Sequence, residues 1–123
     1  MRTASVLIFV VLSAASCSKS YSTSTGPSGQ PIAAGPNVVL VPSGTALSSQ
    51  GPGYAPTPLT VAPGTTVTWG NNDGYQHTSV ADGGAWNLTI DAGKTGSYTF
   101  TVPGTYTYHC NIHGFMKGSI VVQ

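Results

Sequence analysis

The sequence predicts an all-β fold, a two-sheet antiparallel Greek-key β-sandwich, on three observations. Short β-branched and aromatic runs recur, Pro-Gly, Asn-Asp-Gly and Gly-Gly turns separate them, and no segment beyond about one turn shows helical periodicity. Composition agrees, since the chain of 123 residues is rich in Gly and Pro, is 6% charged and contains no Glu. That length allows one domain.

The strands expected in chain order are 38–41, 59–61, 65–69, 77–80, 97–102, 105–110 and 119–122, with room for an eighth. Alternation then assigns faces. In the run 105–110, Tyr106, Tyr108 and Cys110 share one side, so Cys110 faces the core and His109 points away. Pairing Tyr98, Phe100 and Val102 with Tyr106, Tyr108 and Cys110 across the turn 102–105 predicts a hairpin that delivers Cys110 to one end of the sandwich. Trp69 and Trp86 read as core or sheet-face residues.

Two N-terminal segments lie outside this pattern. Residues 1–16 combine a basic start at Arg2, an apolar run at 6–12 and small residues before Cys17, which is an export signal of lipoprotein type. The apolar run is too short for a bilayer span, which needs ~20 residues. Cys17 is the expected lipid-attachment residue, and residues 17–36 form a flexible Ser/Thr/Gly/Pro linker. The folded domain is expected at 37–123. The protein is thus expected to be exported to a bacterial periplasm or cell envelope and held at a membrane by its lipid.

The chemistry concentrates near the C-terminus. Cys110, His113 and Met116 set a thiol, an imidazole and a thioether at three-residue intervals in one short loop. Of the three histidines, His77 is the one distant in sequence that can supply a second imidazole, because His109 faces outward. Two imidazoles, a thiolate and a weak thioether are the donor set that suits mononuclear copper in both Cu(I) and Cu(II) states. Such a set leaves no open position for a substrate, which argues for a carrier and against an enzyme.

The segment Tyr106-Thr107-Tyr108-His109-Cys110-Asn111-Ile112-His113-Gly114-Phe115-Met116-Lys117-Gly118, with Trp69-Gly70-Asn71-Asn72-Asp73 and His77 upstream, resembles the cupredoxins, the type 1 blue copper family. The short Cys-x2-His-x2-Met loop is similar to that of its amicyanin-like members, whereas plastocyanin-like members carry a longer His-to-Met spacing. The resemblance covers about residues 37–123. It implies one copper ion held by His77, Cys110 and His113 in the equatorial plane and by Met116 on the axis, serving one-electron transfer. His113 sits in the connecting loop, so its ring edge is expected at the surface where redox protein partners dock transiently, with Tyr75 and Phe115 as the apolar surroundings; Phe115 reads equally as a plug over the metal and Tyr75 as a turn residue.

Two positions depart from the family pattern. Gly114 stands where Pro is common, and Thr78 follows His77 where Asn is usual, so the tie between the two ligand segments must use a hydroxyl or another residue. Both bear on potential and pH response.

Other functions fit less well. A copper chaperone or storage protein favours Met-rich exchangeable ligation, yet beyond the initiator only Met116 is present. A plain immunoglobulin-like adhesion module explains the strands and leaves the Cys/His/Met spacing unaccounted for. A Cys110 hydrolase lacks an orienting residue. The mature chain balances Lys19, Lys94 and Lys117 against Asp73, Asp82 and Asp91, so it has no basic patch for nucleic acid and is expected to be monomeric. Gly93-Lys94-Thr95 lacks the first Gly of a phosphate loop, and the sequon at Asn87 carries no meaning in a bacterial protein.

Overall fold

The computed structural model describes residues 29–49 and 53–123. The signal segment, Cys17 and most of the expected linker lie outside the described residues. Within them the strands are β1 Val38–Val41, β2 Leu59–Val61, β3 Thr65–Asn71, β4 His77–Ala81, β5 Asn87–Ile90, β6 Thr95–Phe100, β7 Gly104–His109 and β8 Lys117–Val122, with one 3-10 turn at Thr45–Leu47. They form a three-stranded sheet, β1-β3-β6, and a five-stranded sheet, β2-β8-β7-β4-β5.

The two-sheet sandwich is as expected, but the sheets are mixed rather than purely antiparallel. β1 runs parallel to β3, with Val38 opposite Thr68 and Val41 opposite Asn71, and β2 runs parallel to β8. Parallel neighbours cannot be joined by a tight turn, so each pair is closed by chain that crosses through the other sheet.

The hairpin expected across residues 102–105 does not form. β6 pairs with β3, placing Thr65 opposite Phe100, whereas β7 pairs with β8 and β4. The turn therefore carries the chain from one sheet to the other. Alternation places Phe100, Tyr108 and Cys110 inward as observed, and the Phe100 and Tyr106 rings meet at 5.1 Å between centroids across the sandwich instead of along a ladder, whereas Val102 lies past the end of β6 and is 62% exposed. Inward-facing residues on opposed sheets carry the same period as hairpin partners.

Aromatic rings dominate the core. Trp69 is fully buried, packs edge-on to Tyr108 at 5.6 Å, and lies 5.5 Å from Trp86, whose indole N–H donates to Ser79 Oγ at 2.9 Å. Tyr108 in turn fits only because residue 118 is glycine: a Cβ there would lie 2.4 Å from the Tyr108 ring. β5 was absent from the expected strands, and its Ile90 is fully buried.

Ordered contacts begin before the expected boundary at residue 37. Ile32 N donates to Asn72 Oδ1 at 2.6 Å, and Asn72 Nδ2 donates back to the Ile32 carbonyl at 2.9 Å. The Ile32 side chain occupies space above Gly70, where a Cβ would approach it to 2.8 Å.

Candidate metal centre

Strand direction brings the donors to one pole. β3 ends at Asn71, β4 begins at His77 and β7 ends at His109, so the segments 71–77 and 110–116 emerge together. The second segment is closed on itself: Met116 N donates to the His113 carbonyl at 2.9 Å, and Cys110 N donates to the Met116 carbonyl at 3.1 Å. Met116 is fully buried within it.

One nitrogen each from His77 and His113 and the Cys110 sulfur lie within 4.8 Å of one another. The imidazole rings are 4.6 Å apart, and Cys110 Sγ is 3.9 Å from His113 Nδ1. His77 and Cys110 are buried and His113 is half-buried. Among the described residues no other group of His, Cys, Asp or Glu gathers in this way.

The donor atoms are free to bind a metal. His77 Nε2 is engaged by Asp73 Oδ2 at 2.9 Å, while His77 Nδ1 is buried without any hydrogen-bond partner. Cys110 is a buried free thiol whose sulfur accepts from Thr78 N at 3.3 Å. A buried orphan imidazole nitrogen beside a buried thiol is costly unless something occupies the space between them. A soft, small cation with affinity for thiolate and imidazole satisfies both, and copper fits that description.

Electrostatics follow from the same packing. Desolvation lowers the His113 pKa from its ordinary value and the neighbouring His77 adds to this, with Asp73 pulling weakly the other way. Desolvation works to raise the Asp73 carboxyl, but hydrogen bonds from His77, Ala46, Gly44 and Gly74 outweigh it and hold the pKa at about 2. Burial pushes the Tyr54 phenol far above its ordinary value, and nearby Cys110 adds to this.

Thr78 performs the tie that its departure from the family pattern left open. Its hydroxyl accepts from Asn111 N at 2.8 Å, and its carbonyl accepts from the Tyr54 hydroxyl. His109 is turned away as expected, lying 2.6 Å from Asp82 and 2.9 Å from Asn111. Phe115 stands edge-on to His113 at 6.1 Å and is 37% exposed, with Tyr75 at 52% and Ile112 at 50% among the other exposed apolar side chains.

Sequence reasoning missed Asp73 and Tyr54. For Asp73 a signal existed, since a carboxylate four residues before a ligand histidine can reach back to it across a turn. For Tyr54 there was none, because its contact with Thr78 joins segments 24 residues apart.

A β-sandwich that closes two imidazoles and one thiol around a single buried point is a copper-binding protein of the cupredoxin class. A family model for copper binding proteins of the plastocyanin/azurin family matches residues 44–123. The chain belongs to that family. Amicyanin of Paracoccus denitrificans is 35% identical over 85 residues, covering 57% of this chain and 58% of the amicyanin chain. The chloroplastic plastocyanin of Oryza sativa subsp. indica is 36% identical over 84 residues, covering 57% and 54%. The chain thus spans less than two thirds of the length of these relatives.

Among solved structures, a purple cupredoxin from Nitrosopumilus maritimus superposes with a TM-score of 0.64 at 27% identity, covering 70% of this chain and 98% of that one. A reduced amicyanin variant gives 0.59 at 30% identity, covering 79% and 95%. A copper-containing nitrite reductase from Thermus scotoductus gives 0.57 at 29%, with only 25% of its chain covered.

Proposed function

We propose that the protein is an exported one-electron carrier with a type 1 copper site. His77, Cys110 and His113 would supply the strong donors, and Met116 a weak thioether donor. The observation that carries this reading is the convergence of the three donors within 4.8 Å at one pole of the sandwich. Bound copper supplies reversible exchange of one electron between Cu(I) and Cu(II). The chain's own part is to fix the donors, so that neither oxidation state requires the site to rearrange.

His77 and Cys110 shield the centre from water, and the half-buried His113 is the group through which a partner approaches. Phe115, Tyr75 and Ile112 supply exposed apolar surface suited to a weak, transient encounter. With Met116 as a fourth donor the chain would fill the coordination positions of copper and leave none for a substrate, which supports a carrier rather than an enzyme. Cys17 lipidation would hold it at the membrane of the cell envelope, leaving the domain free to meet partners.

The test is the visible spectrum of the copper-loaded protein. Cu(II) should give an intense thiolate-to-metal charge-transfer band in the wild type, and Cys110→Ser should abolish it. A colourless wild type with bound Cu(II), or a Cys110→Ser variant that keeps the band, would rule the assignment out.

A further inference from the structure

We propose that Asp73 is a positioning residue for the metal centre, one carboxylate that both sets which nitrogen of His77 faces the metal and ties that ring to the turn at residues 44–47. The proposal rests on His77 being a ligand, and it deepens that reading by assigning how the ligand is prepared.

The first half follows from hydrogen-bond inventory. An ionised carboxylate only accepts, so the 2.9 Å contact between Asp73 Oδ2 and His77 Nε2 requires the proton on Nε2. A neutral imidazole has one N–H, which leaves a bare lone pair on Nδ1. That is the atom buried without a partner. The other tautomer would set a lone pair against a carboxylate and bury an unpaired N–H, two penalties at once. A carboxylate held against the far side of a ligand histidine also raises its basicity toward a metal.

The second half follows from what else Asp73 holds. Oδ2 accepts from Ala46 N at 2.9 Å and Oδ1 from Gly44 N at 3.0 Å, while Gly74 N binds Oδ1 at 2.9 Å. The turn at Thr45–Leu47 has no side-chain cap of its own. Thr45 N donates to the Pro42 carbonyl, and the N–H groups on either side of it, Gly44 and Ala46, depend on the carboxylate that orients His77. Asp73 is fixed in turn, since its N–H donates to Asn71 Oδ1 at 2.9 Å and Asn71 Nδ2 donates to the carbonyls of Tyr75 and Ile90. The turn ends in Leu47, 77% exposed. A surface segment with a large apolar side chain is thereby linked to a buried ligand through one residue.

The experiment uses the full chain, labelled with 15N. In the metal-free wild type, two-bond proton–nitrogen correlations should place the His77 proton on Nε2; a proton on Nδ1 would overturn the proposal. Asp73→Asn keeps the shape and loses the charge. It should bind Zn(II) and Cu(II) about 10–100-fold more weakly, shift the Gly44 and Ala46 amide resonances and displace the charge-transfer band of the copper form. Unchanged affinity and tautomer, with only a lower melting temperature, would mean a structural role alone and sink the idea.

If that variant does not fold, a Zn(II) titration of the wild type decides. The Gly44 and Ala46 amides should move in step with occupancy, and Gly64 in the turn before β3 should not. Zn(II) binding that leaves residues 44 and 46 silent would refute the link. Absence of any response at Cys110 and His113 would instead count against the metal assignment, and the tautomer would still decide the role of Asp73.

Discussion

The Thr78 hydroxyl accepts the Asn111 amide at 2.8 Å, which fastens the strand carrying His77 to the loop carrying His113. Thr78 also donates its own N–H to the Cys110 sulfur. Thr78→Val removes only the hydroxyl and should cost about 0.5–1.5 kcal/mol, the usual net value of one such bond. Denaturant unfolding measures it, and Asn111 amide exchange should accelerate. Thr78→Ser should restore both, and if it does not, the shape of the side chain and not its oxygen matters.

Met116 offers a second test of the site. If Met116 is the weak donor proposed, replacing it with Leu removes a ligand that favours the oxidised metal while keeping an apolar group of similar volume in a fully buried position. Met116→Leu should retain copper and colour and raise the midpoint potential. Loss of copper would show that Met116 is a primary ligand or an essential packing residue.

Gly118 governs the core from the surface of β8. An added Cβ would lie 2.4 Å from both Cζ and Oη of Tyr108, and that ring is wedged against Trp69 and Tyr54. Gly118→Ala should destabilise by about 1–3 kcal/mol through overpacking, seen as a melting temperature lower by several degrees. Gly114→Ala serves as the control, since nothing lies within 4 Å of a Cβ there.

Much of this architecture was legible because it depends on local order. The bounds of β1 and β2 follow directly from Val38–Val41 and Leu59–Val61. Cys110 faces the core because Tyr106 and Tyr108 share its phase, and the donor loop declares itself by spacing. What stayed hidden depends on long-range partners. Alternation says which way Phe100 points, not which strand lies beside it, so a sheet-to-sheet crossing looked like a hairpin. β5 is only four residues long, and its Leu88 and Ile90 are too few to establish a period. Asp73 and Tyr54 act through contacts that exist only once the turns have closed.

Acid should weaken the fold through Asp73. Its folded pKa of about 2 lies below the unfolded value of 3.8, so the carboxylate contributes stability that is fully present above about pH 4. That contribution is lost as pH falls through 4 toward 2, because the unfolded chain takes up the proton first. Urea midpoints of the metal-free protein between pH 5 and pH 2.5 should fall in the wild type and fall less steeply in Asp73→Asn. Parallel profiles would remove Asp73 from the explanation.

The reduced centre should respond to protons through His113. This imidazole is half-buried at the surface end of the site, and in the metal-free protein burial and His77 hold its pKa below the ordinary value. Proton uptake is therefore expected in the acidic part of the range, below the reference of about 6.5. Cu(I) tolerates three ligands better than Cu(II) does, so a proton competes for His113 mainly in the reduced state. By linkage, preferential proton binding to the reduced form stabilises it, and the midpoint potential should rise as pH falls. Gly114 sets how easily the ring can leave, because glycine leaves the backbone behind His113 unrestrained. Nothing lies within 4 Å of a Cβ at this position, and Gly114→Pro should stiffen the loop by fixing φ. Voltammetry from about pH 8 to pH 5, a window chosen to span the reference histidine value, should show a rising potential in the wild type and a shallower rise in the variant. A flat wild-type profile would show that the loop keeps His113 on the metal, and equal slopes would clear Gly114 of any part in it.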